Sequence, residues 1–319
     1  MAVQRGNDDA EAVAQCMFSL LGERPLRLER QLFTHSGNAV YRAQMGDGRS
    51  LAVRVSLDAH TFLHTRANLA ALRGLGLPVQ TVLAQGTLRE HGDVVVLDWL
   101  PGRDLFYVLG SLSAREAQRL AEIMVTFQCR VARRLPPVVN GGFGWAAIGA
   151  PAPHARWTEI FGDPAPAAFH IATLARMDAT PLERYRARLG LVRASLEDYF
   201  DTLLPVCFLD DLTIKNVLVD GGELSGLIDF DTVCYGDPLL VLGSTLAHLG
   251  TEVGARGSAY ATALLQCWAP QGERRRATGF YACLWVTGFL SLAIEQGNAA
   301  RVRLLTPVLD DLLDMAERA

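Results

Sequence analysis

The chain has 319 residues, a formal net charge of −4 and 50% hydrophobic residues. This length is sufficient for two compact units with cores of their own. The mild negative charge gives no electrostatic reason to expect nucleic acid as a partner. The six cysteines are scattered without the spacing of a metal site, so we expect reduced packing residues in a cytoplasmic protein.

The N-terminal third predicts one helix followed by a mostly antiparallel sheet. An amphipathic pattern predicts a helix from Asp8 to Leu21. Alternation of apolar and polar residues predicts a strand from Arg27 to Phe33, and a hairpin follows around Met45–Gly48. The remaining predicted strands cover residues 39–44, residues 51–56, a segment that begins at Leu77, and residues 93–98.

The rest of the chain predicts mainly helices. Ser113 to Glu116 form a capping box, which predicts a helix to about Leu135. A second cap at Thr180 begins a helix to about Tyr199, and the chain after Pro238 is predicted to be helical. Ala277 to Ile294 carries no charge and is at the lower limit for a membrane span. This segment could be a membrane span or a buried helix in the core of a lobe. We expect the buried core helix, and hence no membrane partner.

The stretch from Leu209 to Asp231 carries the strongest functional signal. It predicts a loop with Asp211 and Asn216, then a hairpin with its turn at Asp220–Gly222, and then Asp229. A hairpin brings its two ends together, so we expect Asn216 and Asp229 to lie side by side. Two oxygen ligands on adjacent strand ends suit Mg²⁺. A loop aspartate beside them has the chemistry to accept a proton from a hydroxyl.

This layout resembles the aminoglycoside phosphotransferase and choline kinase family of kinase-like enzymes. Their pattern is roughly H-G-D-L-x-x-x-N, a hairpin, I-D, and then G-D-P. The present chain reads LDDLTIKN from Leu209 to Asn216, then Ile228-Asp229, and then Gly236-Asp237-Pro238. The resemblance implies an α/β, protein-kinase-like fold with two lobes. It implies a small antiparallel, nucleotide-binding lobe over residues 1–102 and a mainly helical lobe over residues 103–319. It also implies a hinge at about residues 98–102 and a substrate-site insertion at residues 136–200.

The resemblance also implies a reaction and its cofactors. The γ-phosphate of ATP would be transferred to a hydroxyl of a small molecule, with ATP and Mg²⁺ as cofactors. Asp211 would position or deprotonate the hydroxyl, and Asn216 and Asp229 would bind the metal. Lys215, the single lysine of the chain, would offset charge on the transferred phosphoryl group. The alternative for Lys215 is a solvated surface residue.

Five further positions are implied at the nucleotide. Ser36 and Asn38 lie in the loop that covers ATP phosphates in such enzymes, although a plain hairpin turn has the same pattern. Arg54 stands where kinases have the ATP-binding lysine of a strand, and its alternative is a surface arginine on an edge strand. Asp98 and Leu100 lie at the hinge, where backbone groups would contact adenine.

The chain departs from the family pattern at several points. Leu209 replaces a histidine that braces the catalytic loop, and Asp210 replaces a small residue and is expected to point away from Asp211. Val241 stands where the family often has an aspartate. The predicted helix from Thr61 to Arg73 lacks the carboxylate that orients the phosphate-binding cation.

The acceptor is indicated by two local similarities. Gly141–Trp145 followed by Arg156–Phe161, and Val53-Arg54-Val55, are similar to hygromycin phosphotransferases. They imply an aminoglycoside-type antibiotic such as hygromycin as the acceptor, and hence antibiotic resistance. A nucleotide-binding pseudokinase that acts as a regulator, and a choline-type or sugar-type kinase, stay open. The sequence names neither the acceptor hydroxyl nor the oligomeric state.

Overall fold

The structure is a computed structural model that describes residues 2–31, 38–88, 92–139, 141–161 and 180–318. The chain divides into two compact units. The first comprises Met1–Gly102 and Ser225–Thr232, and the second comprises Arg103–Leu224 and Val233–Ala319. The short segment 225–232 therefore belongs to the same unit as the N-terminal part of the chain.

An antiparallel sheet with the strand order β1-β2-β3-β5-β4 forms the centre of the first unit. Its strands are β1 (Arg27–Gln31), β2 (Ala39–Gln44), β3 (Ser50–Ser56), β4 (Val82–Leu88) and β5 (Gly92–Asp98). Arg54 on β3 lies opposite Val40 of β2 and Val95 of β5. Strand β3 is therefore internal to the sheet, and the interpretation of Arg54 as an edge-strand residue is wrong.

Two helices accompany this sheet. Helix α1 (Ala2–Leu21) begins earlier than the predicted Asp8, and α2 (Thr65–Gly74) begins later than the predicted Thr61 and ends one residue after the predicted Arg73. Val13 and Met17 of α1 are buried in one cluster with sheet residues such as Val53. Burial of these apolar side chains stabilises the helix on the sheet.

Segment 225–232 docks against the chain before β4. The N–H of Leu227 donates to the carbonyl of Pro78 at 2.9 Å, and Val79 forms a parallel bridge with Leu227. The sequence predicts a strand from Leu77, and this prediction is wrong. Strand β4 begins at Val82, and Val79 is paired with Leu227 of segment 225–232 instead.

The second unit is mainly helical. Its central helix α4 carries the predicted capping box, in which Ser113 Oγ accepts from the Glu116 N–H at 3.3 Å and Glu116 Oε2 accepts from the Ser113 N–H at 2.7 Å. The helices are α3 (Leu105–Val108), α4 (Ala114–Arg134), α5 (Thr180–Ser195), α6 (Glu197–Asp201), α7 (Leu239–His248), α8 (Ser258–Trp268), α9 (Glu273–Glu295) and α10 (Ala299–Glu317).

Short strands hold the catalytic stretch in this unit. Strand β6 (Arg103–Asp104) pairs antiparallel with β9 (Val217–Asp220). Strands β7 (Gly144–Ala146), β8 (Val206–Phe208) and β11 (Val233–Gly236) form a sheet in the order β7-β11-β8. Strand β10 (Glu223–Leu227) follows β9 after the turn Gly221–Gly222, whose φ values are +56° and +80°. Only glycine adopts such backbone without steric cost.

Helix α9 contains the uncharged segment singled out in the sequence. Within the described residues it is long and apolar enough to cross a membrane, but 78% of its most apolar window is buried inside the fold. Its residues Phe280 and Tyr281 pack in an aromatic cluster with Phe161 and Trp157. This burial matches the expected core helix.

Candidate active site

The loop after β8 in the second unit joins two of the predicted site residues directly. The side-chain amide of Asn216 donates to Asp211 Oδ2 at 2.7 Å and to the Asp211 carbonyl at 3.2 Å. Asp211 is exposed and Asn216 is half-buried. The hydrogen bonds use the amide nitrogen of Asn216, so its oxygen is the atom that suits a cation.

Both predicted metal ligands have unusual backbone. Asn216 has a φ of +66° and Asp229 a φ of +70°, and they are two of four non-glycine residues with positive φ in the described chain. Asn and Asp tolerate this region better than other side chains. At the first of them, Asp104 Oδ1 accepts the Asn216 N–H at 3.0 Å. Residues held in such backbone are concentrated at functional sites.

The start of the catalytic loop is braced without the histidine that Leu209 replaces. Gln128 of α4 donates from Nε2 to the Leu209 carbonyl at 2.8 Å and accepts the Leu209 N–H at 3.0 Å. Trp145 of β7 donates its indole N–H to Asp210 Oδ2 at 2.5 Å. No pattern in the sequence predicts either of these two contacts.

Asp237 of the Gly-Asp-Pro motif is a buried anchor. Its Oδ2 accepts from the hydroxyl groups of Tyr199 at 2.7 Å and Tyr281 at 2.8 Å, and its Oδ1 accepts the Leu239 N–H at 3.0 Å. Burial raises the pKa of Asp237 in spite of these three donors. Val241, which departs from the family pattern, is buried in the core.

Lys215 lies in a charged cluster. Its Nζ is 3.1 Å from Glu252 Oε2, and Glu252 Oε1 is 3.2 Å from His248 Nδ1. The Lys215 side chain is only 24% exposed, so its interpretation as a solvated surface lysine is wrong. Burial opposes ionisation of Glu252, but His248 and Lys215 outweigh it and lower the pKa of Glu252 to about 2.

Arg54 forms the charged centre of the first unit. Its guanidinium lies 2.6 Å from Asp229 Oδ1, 2.7 Å from Asp231 Oδ2 and 3.0 Å from Asp231 Oδ1. Its side chain is 12% exposed and lies over the Phe62 ring, 4.9 Å from the ring centre. Burial opposes this charge, but the carboxylates of Asp229 and Asp231 outweigh it and raise the pKa of Arg54.

The remaining nucleotide-site predictions fall at the end of β5 and before β2. The Asp98 N–H donates to the Thr81 carbonyl at 3.1 Å, and the Asp98 carbonyl accepts from Gln80 at 2.8 Å. Much of the hydrogen-bonding capacity of Asp98 is therefore used inside the unit. Leu100 and Asn38 are half-buried. Ser36 lies outside the described residues.

The two predicted metal ligands, Asp229 and Asn216, each carry an oxygen atom of a kind that suits Mg²⁺. No group of three or more His, Cys, Asp or Glu side chains suited to a metal ion occurs in the described part of the chain. Mg²⁺ is commonly bound by one or two carboxylates, with water and phosphate as the other ligands. One carboxylate and one amide oxygen, from Asp229 and Asn216, match that requirement in kind.

Comparisons with known proteins place the chain among phosphotransferases. The model of the phosphotransferase enzyme family APH matches residues 31–277. No curated protein matches the chain by sequence. A thermostable mutant of aminoglycoside phosphotransferase APH(4)-Ia, in a ternary complex with AMP-PNP and hygromycin B, is similar in structure. It has a TM-score of 0.71 and 18% identity, over 97% of this chain and 100% of that chain.

Two further solved structures are similar. The GDP complex of wild-type aminoglycoside 2'-phosphotransferase-IIIa has a TM-score of 0.66 and 13% identity, over 96% of this chain and 98% of that chain. A protein assigned as a fructosamine-3-kinase from Haemophilus somnus 129PT has a TM-score of 0.59 and 12% identity, over 95% and 97%. These likenesses confirm the predicted α/β, kinase-like fold.

Proposed function

The chain belongs to the phosphotransferase enzyme family, and from this premise we propose that it phosphorylates a hydroxyl of an aminoglycoside-type antibiotic such as hygromycin, with ATP as the donor. The observation that carries the proposal is the hydrogen bond between Asn216 and Asp211. It joins an exposed carboxylate to a residue with strained backbone, in the spacing of a phosphotransfer loop. The reaction would take place in the cytoplasm, where ATP is available.

Asp211 is the proposed catalytic residue. Its carboxylate is exposed and is oriented by the amide of Asn216. In this position it would accept a hydrogen bond from the acceptor hydroxyl and take its proton as the phosphoryl group is transferred. The neighbouring Asp210 accepts a hydrogen bond from the indole N–H of Trp145.

Positive side chains would meet the phosphates of ATP. Arg54 is the proposed cation for the α- and β-phosphates, and Lys215 would offset charge on the transferred group. Asn216 and Asp229 would hold Mg²⁺, which supplies charge neutralisation at the phosphates. Ser36 and Asn38 are proposed phosphate contacts, and the backbone at Asp98 and Leu100 is the proposed adenine contact.

A sugar-type acceptor is the second candidate within the same chemistry. The similarity to a protein assigned as a fructosamine-3-kinase favours it, since an amino-sugar hydroxyl is common to both acceptor classes. A choline-type kinase would use choline as the acceptor, and the acceptor screen includes it. A pseudokinase would bind ATP and transfer nothing, and the retention of Asp211, Asn216 and Asp229 argues against it.

The test is an acceptor screen with purified protein, ATP and Mg²⁺. ADP formation is measured without acceptor and then with hygromycin B, other aminoglycosides, fructosamine-type sugars and choline. We expect acceptor-dependent ADP formation with hygromycin B and a phosphorylated product in the mass spectrum. If only the fructosamine-type sugars are phosphorylated, the acceptor is a sugar and not an aminoglycoside antibiotic. ATP binding without turnover on any acceptor would establish the pseudokinase.

A further inference from the structure

Arg54 is held by the carboxylate of Asp231, which lies two positions after Asp229 in the chain. Both terminal nitrogens of its guanidinium meet Asp231: Nη1 lies 3.0 Å from Oδ1 and Nη2 lies 2.7 Å from Oδ2. This is the parallel, two-bond arrangement that arginine forms and lysine cannot form. Asp231 and Arg54 belong to the same compact unit, although they are far apart in sequence.

Helix α2 has no carboxylate of its own for Arg54. Instead, its side chains form hydrogen bonds with Asp231. The hydroxyl of Thr65 donates to Asp231 Oδ1. The side-chain amide of Asn68 donates to the carbonyl of Asp231 at 2.7 Å and to the carbonyl of Phe230 at 3.1 Å. Thr65 and Asn68 are both buried. The helix therefore fixes the side chain and the backbone of the residue that holds Arg54.

We propose that Asp231 is the positioning residue for Arg54 and takes over the task of the missing helix carboxylate. The inference rests on the proposed function, in which Arg54 binds the phosphates of ATP. Asp229 also contacts Arg54 but is assigned to Mg²⁺. Asp231 has no other charged partner among the described residues, so it holds the guanidinium whether or not Asp229 is engaged elsewhere.

The same geometry gives a reason for arginine at position 54. A lysine would keep the charge but present one nitrogen to two carboxylate oxygens. It would lose the two-bond grip on Asp231, and its ammonium would take a less defined position. Arg54 and Asp231 therefore form a pair with matched hydrogen-bonding geometry.

A double-mutant cycle on ATP affinity tests the proposal without any need for the acceptor. The dissociation constant of Mg-ATP is measured by calorimetry for wild type, Asp231→Asn, Arg54→Met and the double variant. We expect Asp231→Asn to raise the constant about tenfold, because a charged hydrogen-bond pair is lost. In the Arg54→Met background, Asp231→Asn should alter the dissociation constant of Mg-ATP by less than about twofold, because the guanidinium that Asp231 holds is absent.

Matched variants separate positioning from folding. Asp58→Asn makes the same chemical change at an exposed residue of the same unit and should leave ATP affinity unchanged. Thr65→Val removes one support of Asp231 at nearly constant volume and should weaken ATP binding less than Asp231→Asn does. Asp231→Glu keeps the charge and should restore part of the affinity. If Asp231→Asn fails to fold, the Mg-ATP affinity of Thr65→Val and of Asp231→Glu is measured instead, each with Arg54 present and with Arg54→Met.

The possible outcomes are distinct. Equal effects of the Asp231 change with and without Arg54 would overturn the positioning role and leave the proposed function intact. Unchanged ATP affinity in Asp231→Asn would do the same. Wild-type protein that binds no Mg-ATP would overturn the proposed function and this inference together. Where an active acceptor is found, the KM for ATP should rise in Asp231→Asn and the KM for the acceptor should stay constant.

Discussion

Gln128 and Leu209 form a closed pair of hydrogen bonds, in which one side-chain amide meets both polar groups of one backbone residue. Gln128 is buried in the central helix of its unit, and Leu209 is buried at the start of the catalytic loop. The pair does for the backbone what a histidine side chain would do in the family pattern. The loop thus has a fixed origin even though leucine can form no side-chain hydrogen bond.

Gln128→Leu should therefore impair both stability and reaction. The change keeps the volume but leaves the N–H and carbonyl of Leu209 buried without this partner, which costs about 2–4 kcal/mol of unfolding free energy. Chemical denaturation measures this cost, and steady-state kinetics should show a fall in kcat that exceeds any change in the KM for ATP. Gln118→Leu, on the same helix, is the control and should be close to wild type. Equal loss in both variants would argue against a specific brace.

Asp211→Asn should abolish transfer and spare nucleotide binding. The amide keeps the shape and the contact region of Asp211 but cannot accept a proton, so kcat should fall by well over tenfold. The dissociation constant of ATP should change little, because the proposed phosphate contacts are made by other residues. Near-normal turnover in this variant would exclude Asp211 as the catalytic residue.

Asp229→Asn should remove the effect of Mg²⁺ on nucleotide binding. Asparagine tolerates the left-handed backbone at this position, so the variant tests charge and not strain. Thermal shifts by ATP are measured with and without Mg²⁺, and the difference between the two should disappear. Asp220→Asn, in an exposed position at the end of β9, should keep the wild-type difference. A retained Mg²⁺ effect in Asp229→Asn would remove this residue from the metal site.

The pairing of Glu252 with Lys215 and His248 predicts a pH dependence of stability. The pKa of Glu252 is lowered from 4.5 to about 2, so its ionised form stabilises the fold above pH 4.5. This contribution is lost as the pH falls from about 4.5 towards 2. Glu252→Gln should therefore be less stable than wild type at neutral pH, and the difference should narrow over that window. The exposed Glu295→Gln should show no such trend, and a pH-independent difference for Glu252→Gln would contradict the prediction.

The Trp157 ring leaves no room for a side chain at Gly236, at the end of β11. A Cβ on Gly236 would lie 1.9 Å from a carbon of the Trp157 ring, which is buried. Gly236→Ala should cost about 2–4 kcal/mol by forcing the aromatic cluster apart. Gly190→Ala is the control, because nothing lies within 4 Å of its added methyl group. Because Gly190 lies in helix α5, Gly190→Ala should stabilise the protein by about 0.5–1 kcal/mol. Thermal unfolding should therefore show a higher Tm for Gly190→Ala and a lower Tm for Gly236→Ala.

The sequence predicted what depends on short-range spacing. The loop with Asp211 and Asn216, the hairpin turn at Gly221 and the helix cap at Ser113 are all local patterns, set by turn chemistry and side-chain reach. The structure contains each of them. The antiparallel sheet of the first unit was also predictable, because alternating strands joined by short turns leave few other arrangements.

Two long-range contacts of the candidate site were not predictable from the sequence. Gln128 and Leu209 are 81 positions apart, and Arg54 and Asp231 are 177 positions apart. No pattern within one segment signals which distant glutamine or aspartate will meet a given backbone or cation. The same holds for Lys215, since its partner Glu252 lies in a later helical turn. Such pairs depend on tertiary packing. The sequence therefore shows that a residue of the family pattern is missing, but it does not show which distant residue lies in its place.

The hydrogen bond from Trp145 to Asp210 has a consequence for how this protein can change over generations. Trp145 belongs to the segment that the resemblance predicts as a substrate-site insertion, and Asp210 is adjacent to the proposed catalytic residue. Drift at position 145 would disturb the reaction as well as the choice of acceptor. New acceptor specificities are therefore expected to arise at positions of the segment outside β7, and Trp145 and Asp210 are expected to be exchanged only as a pair.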